Sequence, residues 1–166
     1  MAGHLARLDW TKPRLKLHGL HPFRLNHINT GQTFDQGLGR SLWFVQGADA
    51  SRATAAVGRF PPDRQGDLYG GLGLACAYAG GVEQAEIEAL REAAGADRAA
   101  LAQGAAFAAK ARQRAGCLTD HTELACQVLC GTSAEAAAAV TDDCLVDLPP
   151  DGTETGYEVW RRRIQQ

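Results

Sequence analysis

One segment limits this chain more than any other: Asp67-Leu-Tyr-Gly-Gly-Leu-Gly-Leu-Ala-Cys-Ala-Tyr-Ala-Gly-Gly81. Large apolar groups recur at Leu68, Leu72, Leu74, Cys76 and Tyr78, and the positions between them are filled by Gly and Ala. Each interior Gly costs a helix about 1 kcal/mol relative to Ala, so Gly70, Gly71 and Gly73 need compensation. Two bodies can supply it: a second helix packed backbone-close, or a ligand that needs the room. Either makes this segment the floor of an interface or of a pocket.

Around it the chain reads as helices from Thr33 onward. Thr33 with Gln36 three residues later has capping-box spacing and opens a helix through Leu38, Leu42, Trp43, Phe44 and Val45 that stops at Gly47. Asp49 caps a short helix reaching Phe60. Pro61-Pro62-Asp63 starts the glycine-rich helix, because Pro suits a first turn, and Gly80-Gly81 ends it. A helix from about Glu83 to Ala94 stops at Gly95, and Asp97 caps the Ala-rich stretch 98–115. Thr119 or Asp120 opens another to Cys130, closed by Gly131, and Ser133 caps Ala134–Val140. Pro149-Pro150-Asp151-Gly152 is a turn, and Tyr157–Ile164 forms the last helix. Leu74-Ala75-Cys76 and Leu124-Ala125-Cys126 each precede a glycine stop and a further helix, a faint internal echo. The predicted fold is all-α: a compact bundle of helix-turn-helix hairpins over 33–166, with an extended or irregular N-terminal arm over 1–32. That arm holds four of the five histidines and little helical period.

Composition narrows the class. At 166 residues, 45% hydrophobic and 22% charged, the chain has the makings of one globular domain. A net charge of -2 leaves no basic footprint for nucleic acid or an anionic membrane. No segment approaches the roughly 20 apolar residues of a membrane span. The first thirty residues show no secretory pattern. Five cysteines, an odd number, then read as reduced thiols in a cytoplasmic protein. Arg161-Arg162-Arg163 reads as the solvated end of the last helix, compensating its dipole.

Few residues suggest chemistry. Cys117, His121, Cys126 and Cys130 are the residue types of a zinc site, but their spacing departs from that of ribbons and fingers. Cys126 and Cys130 lie one helical turn apart inside an apolar run, as buried thiols do, so neither a metal nor another cofactor is expected. His18 and His21, with His27, lie in the arm and carry imidazoles able to act as acid or base near neutrality. Asp35 and Arg40 stand five residues apart near the start of the first helix, poorly aligned to pair with one another, so each is expected to meet another partner or a ligand. Gly37-Leu-Gly39 lacks the preceding strand and third glycine of a dinucleotide loop. No nucleophile elbow is present.

Phe34-Asp-Gln-Gly-Leu-Gly-Arg-Ser-Leu-Trp-Phe-Val-Gln-Gly-Ala-Asp49, Phe60-Pro-Pro, the glycine-rich segment, Leu101–Arg112 and Tyr157–Ile164 form a distinctive series. Over roughly residues 33–164 it resembles the C-terminal half of the bacterial domain-of-unknown-function family numbered 1702. Members of that family occur chiefly in gene clusters for enediynes and other polyene-derived polyketides. The resemblance implies an accessory protein of polyene polyketide biosynthesis. Such a protein would bind a hydrophobic polyene or acyl intermediate, and isomerisation or cyclisation is the chemistry it could add. Gly70, Gly71 and Gly73 would make the slot, and Trp43, Phe44, Tyr69, Tyr78 and Phe107 would line it. Asp35, Arg40, His18 and His21 would orient the ligand or move protons. The alternative is a truncated, non-catalytic helical interaction module that forms a homodimer or pairs with a separate N-terminal half. In that case the contact falls on the glycine-rich helix.

Overall fold

In the computed structural model, which describes residues 30–150 and 154–166, helix α3 (Pro62–Ala79) lies between α1 (Thr30–Val45) and α5 (Arg98–Arg114). These three form the centre of the fold. Around them run α2 (Ala50–Val57), α4 (Gln84–Ala93), α6 (Asp120–Cys130), α7 (Ala134–Asp143) and α8 (Gly156–Ile164). The architecture is all-α, as the sequence predicts. His18, His21 and His27 lie outside the described residues.

Local chemistry sets most boundaries. The Asp49 carboxylate accepts from the Arg52 amide at 3.0 Å and opens α2. Thr119 and Ser133 do the same for α6 and α7, each accepting an amide at 3.2 Å. Gly131 ends α6 in the left-handed region at φ 69°, where a side chain would be strained. Two starts differ from expectation. Helix α1 is already formed at Thr30, the first described residue, and the Gln36 amide donates to the Gln32 carbonyl instead of capping. Asp97 holds the N-cap position of α5, but its carboxylate caps nothing.

The main core gathers Trp43, Val57, Leu68, Leu72, Ile87, Leu90 and Leu101. A second layer consists almost wholly of small residues, among them Ala106, Ala109, Cys126, Ala134 and Ala138, which let α5, α6 and α7 approach closely. Three of the last four carbonyls of α3 are each met by a side chain. His121 Nε2 contacts the Cys76 carbonyl at 2.8 Å, the Thr122 hydroxyl donates to Ala77, and Arg112 donates to Tyr78. Only a protonated Nε2 can donate to a carbonyl, so His121 carries its hydrogen there. Among the described residues no single helix is long and apolar enough to cross a membrane.

Candidate functional site

The glycines of α3 meet helices. A methyl group on Gly71 would sit 2.6 Å from the Arg40 amide nitrogen on α1, and one on Gly73 2.9 Å from the Leu101 carbonyl carbon on α5. The crossings are reciprocal: a Cβ on Gly39 would lie 2.8 Å from the Leu68 carbonyl carbon, and one on Gly104 2.7 Å from the Leu74 amide nitrogen. Real carbon contacts do not come this close, so both crossings bring backbone against backbone. Of the two bodies that the glycines could accommodate, α1 and α5 occupy the room. The contact expected on this helix is therefore made within the chain.

Beside these crossings lies a buried ionic cluster. Arg161 is 3% exposed; its guanidinium meets Asp67 Oδ1 at 2.8 Å and Glu158 Oε2 at 2.8 Å, and its Nε donates to Gln103 Oε1 at 3.2 Å. This corrects the reading of Arg161 as solvated: only its neighbours reach outward. Arg162 pairs with Glu154 at 2.5 Å, and Arg163 donates to the Val146 carbonyl at 2.6 Å. Helices α3, α5 and α8 thus converge on one cation through residues widely separated along the chain. Tyr157 extends the network by donating to Gln36 Oε1 on α1 at 2.9 Å.

Electrostatics in the cluster are unbalanced. A half-buried carboxylate and a buried one share one guanidinium, and burial raises the pKa of both Asp67 and Glu158 while Arg161 opposes the rise. Glu158 Oε1 is buried without a hydrogen-bond partner among the described residues. The cluster floors an open cleft of about 320 Å³, whose rim adds Asp63, Asp97 and Glu154. Burial raises Asp97 as well.

The residues singled out from sequence do not gather around one space. Trp43 and Tyr69 are core, at 1% and 5% exposure, and the Tyr69 hydroxyl donates to the Ala93 carbonyl at 3.2 Å. Gly70 stands near the Gln103 and Arg161 side chains. Phe107 stacks on Trp160 with ring centroids 4.7 Å apart, and Tyr78 lies under the Arg112 guanidinium at 4.2 Å. Asp35 does find another partner: Arg64 Nε and Nη2 hold both its oxygens, at 2.9 and 2.5 Å. Arg40 lies exposed. Phe44 is 56% exposed and shares the outer face of α1 with Phe34 at 50% and Val45 at 71%.

The thiols are packed or exposed singly. Cys126 and Cys130 point at the Ala105 and Ala102 carbonyls of α5, at 3.9 and 3.4 Å. Burial pushes the Cys76 thiol up to about 12, and contact with Cys130 followed by burial pushes Cys126 up. Among the described residues no three His, Cys, Asp or Glu side chains are placed to hold a metal ion together.

Sequence reasoning missed Asp67, Gln103, Glu158 and Arg161. One signal was available: Tyr157, Trp160, Arg161 and Ile164 follow helical spacing, which places Arg161 on the inward stripe of α8.

Fold and site define an all-helical protein built on glycine-mediated helix crossings, with a buried guanidinium shared by two carboxylates. The chain belongs to the family described as Protein of unknown function (DUF1702), whose model matches residues 10–166. No match is found among curated proteins or among solved structures.

Proposed function

We propose that this chain is a cytoplasmic accessory protein of polyene polyketide (enediyne-type) biosynthesis that works as a helical interaction module, pairing with a second copy of itself through the outer face of α1. The biosynthetic setting rests on the family resemblance. The pairing rests on one observation, the apolar stripe of α1 that no other described residue covers.

At 100° per residue, Phe34, Gly37, Leu38, Ser41, Phe44 and Val45 fall within an arc of about 120°. Phe34, Phe44 and Val45 are at least half exposed, while Asp35, Gly39 and Trp43 on the opposite arc are buried against the fold. A Cβ on Gly37 would meet nothing within 4 Å. Leu38 packs against the core, so the exposed part of the stripe is large at both ends and small in the middle. Antiparallel pairing about a two-fold axis sets Phe34 of one copy beside Phe44 and Val45 of the other, with Gly37 and Ser41 at the crossing. Because these side chains are already partly covered, covering the rest contributes about 1–2 kcal/mol each.

Sedimentation equilibrium tests this reading. The unaltered chain is expected to form dimers that dissociate on dilution, and Phe44→Glu to stay monomeric with an unchanged circular dichroism spectrum. A monomer at every concentration would overturn the pairing. The trough at Gly37 and Ser41, flanked by Phe34 and Phe44, also favours a second reading, in which a linear polyene lies along it. Polyene absorbance that co-elutes with the unaltered chain but not with Gly37→Leu would support that reading.

A further inference from the structure

We propose that in a single copy the outer face of α1 is covered by the chain's own residues 15–25, which a second copy must displace in order to pair. The competition rests on the pairing proposed above; the cover itself does not. The face calls for an occupant because Phe34, Phe44 and Val45, all at least half exposed, stand on one stripe, and contiguous apolar surface of this kind marks a contact.

Place favours this occupant. The preceding segment joins α1 at Thr30, four residues before Phe34. So short a tether holds residues 15–25 at an effective concentration of about a millimolar, far above a second copy at micromolar level. The family match begins at residue 10, so these residues lie within the unit that includes the helices.

Reach is ample. From Phe34 to Val45 the helix rises about 17 Å, a length that about five extended residues span. Asn26 and Asn29, residue types that favour turns, stand where the chain must reverse. Leu25 and Phe23 then fall beside Phe34, and Leu20 and Leu17 beside Phe44 and Val45. Leu15 and Leu17, like Phe23 and Leu25, stand two apart, the spacing that puts side chains on one face of an extended chain. Charge agrees. Residues 1–29 hold five Lys and Arg against one Asp, and residues 30–166 hold twelve against eighteen acids, so segment and helical body attract.

The competition has a size. Both copies must be bare to pair, so a segment that holds each face about nine-tenths of the time weakens pairing about hundredfold.

The test uses the full chain and a triple variant, Leu17→Ser with Phe23→Ser and Leu25→Ser, whose folding is checked by circular dichroism. In the unaltered chain, diluted until monomeric, NOEs are expected from the Leu17 and Leu20 methyls to the Phe44 ring. The three substitutions are expected to shift the Phe34, Phe44 and Val45 resonances of the monomer and to tighten pairing about hundredfold in sedimentation equilibrium. NOEs and shifts in a chain that forms no dimer at any concentration support the cover and overturn the pairing. Absent NOEs with unmoved resonances overturn the cover, whether or not dimers form. Pairing that weakens in the variant, or NOEs that arise only between differently labelled chains, overturns it too.

Discussion

Two glycines in α1, two residues apart, are predicted to respond to the same substitution with opposite signs. A Cβ at Gly37 would meet nothing within 4 Å, so Gly37→Ala gains the helix-propensity difference of about 1 kcal/mol. At Gly39 the added carbon would lie 2.8 Å from both the carbonyl carbon and the Cα of Leu68, where ordinary contact begins at 3.4 Å. The Leu68 carbonyl oxygen lies nearer still, and the obstacle is backbone, which cannot swing aside. Helices α1 and α3 must part, and the gap that opens forfeits dispersion energy of the atoms lining it. Overpacking of this kind costs about 1–3 kcal/mol, with the upper end expected where main chain meets main chain. Set against the propensity gain, Gly39→Ala is expected to lose about 2 kcal/mol, so the two variants differ by about 3 kcal/mol. Urea denaturation followed by circular dichroism, at protein concentrations low enough to suppress association, measures the difference. Equal stabilisation by both substitutions would refute the claim that α1 and α3 touch through Gly39.

Further outcomes follow from the ionic cluster and the thiols. Arg161→Met strands the buried Glu158 and the half-buried Asp67 without their cation and is expected to cost about 3–5 kcal/mol; adding Asp67→Asn and Glu158→Gln to it should return part of that loss in the same denaturation assay. The folded-state pKa values of Asp67 and Glu158 lie above their ordinary 3.8 and 4.5, so the folded chain binds more protons than the unfolded chain between the two sets of values. Their contribution is full below the ordinary values and is lost as pH rises through the raised ones. Glu158→Gln should therefore gain stability relative to the unaltered chain as pH rises from about 4.5; a difference that is flat with pH argues against the raised carboxyl. With an aromatic disulfide reagent, exposed Cys117 should react first in the native chain and buried Cys76 only on unfolding. Cys117→Ser should remove the fast phase.

Much of the architecture was legible because local signals agreed. Asp49, Thr119 and Ser133 cap the helices that their sequence positions announce, and Gly80 and Gly131 stop α3 and α6. The helix periods matched these signals, so all-α followed. The glycines of α3 announced that something must come close but could not say what, because Gly39 and Gly104, which complete the crossings, lie far away in sequence. Gly104 sits in an Ala-rich helix where it looks like one more small residue. The ionic cluster was hidden for a related reason. Arg161 belongs to a run of three arginines that reads as solvent-facing, and its partners come from α3, α5 and the preceding turn of α8. A residue's neighbours across three elements are a property of packing, which local pattern does not encode.

The pairing of α1 is tested most directly by an isotope-filtered NOE experiment on an equal mixture of labelled and unlabelled chain. An antiparallel two-fold contact predicts intermolecular NOEs from the Phe34 ring to the Val45 methyls, which vanish in Phe44→Glu. A spectrum without intermolecular NOEs from α1, taken at concentrations where the unaltered chain sediments as a dimer, would contradict it.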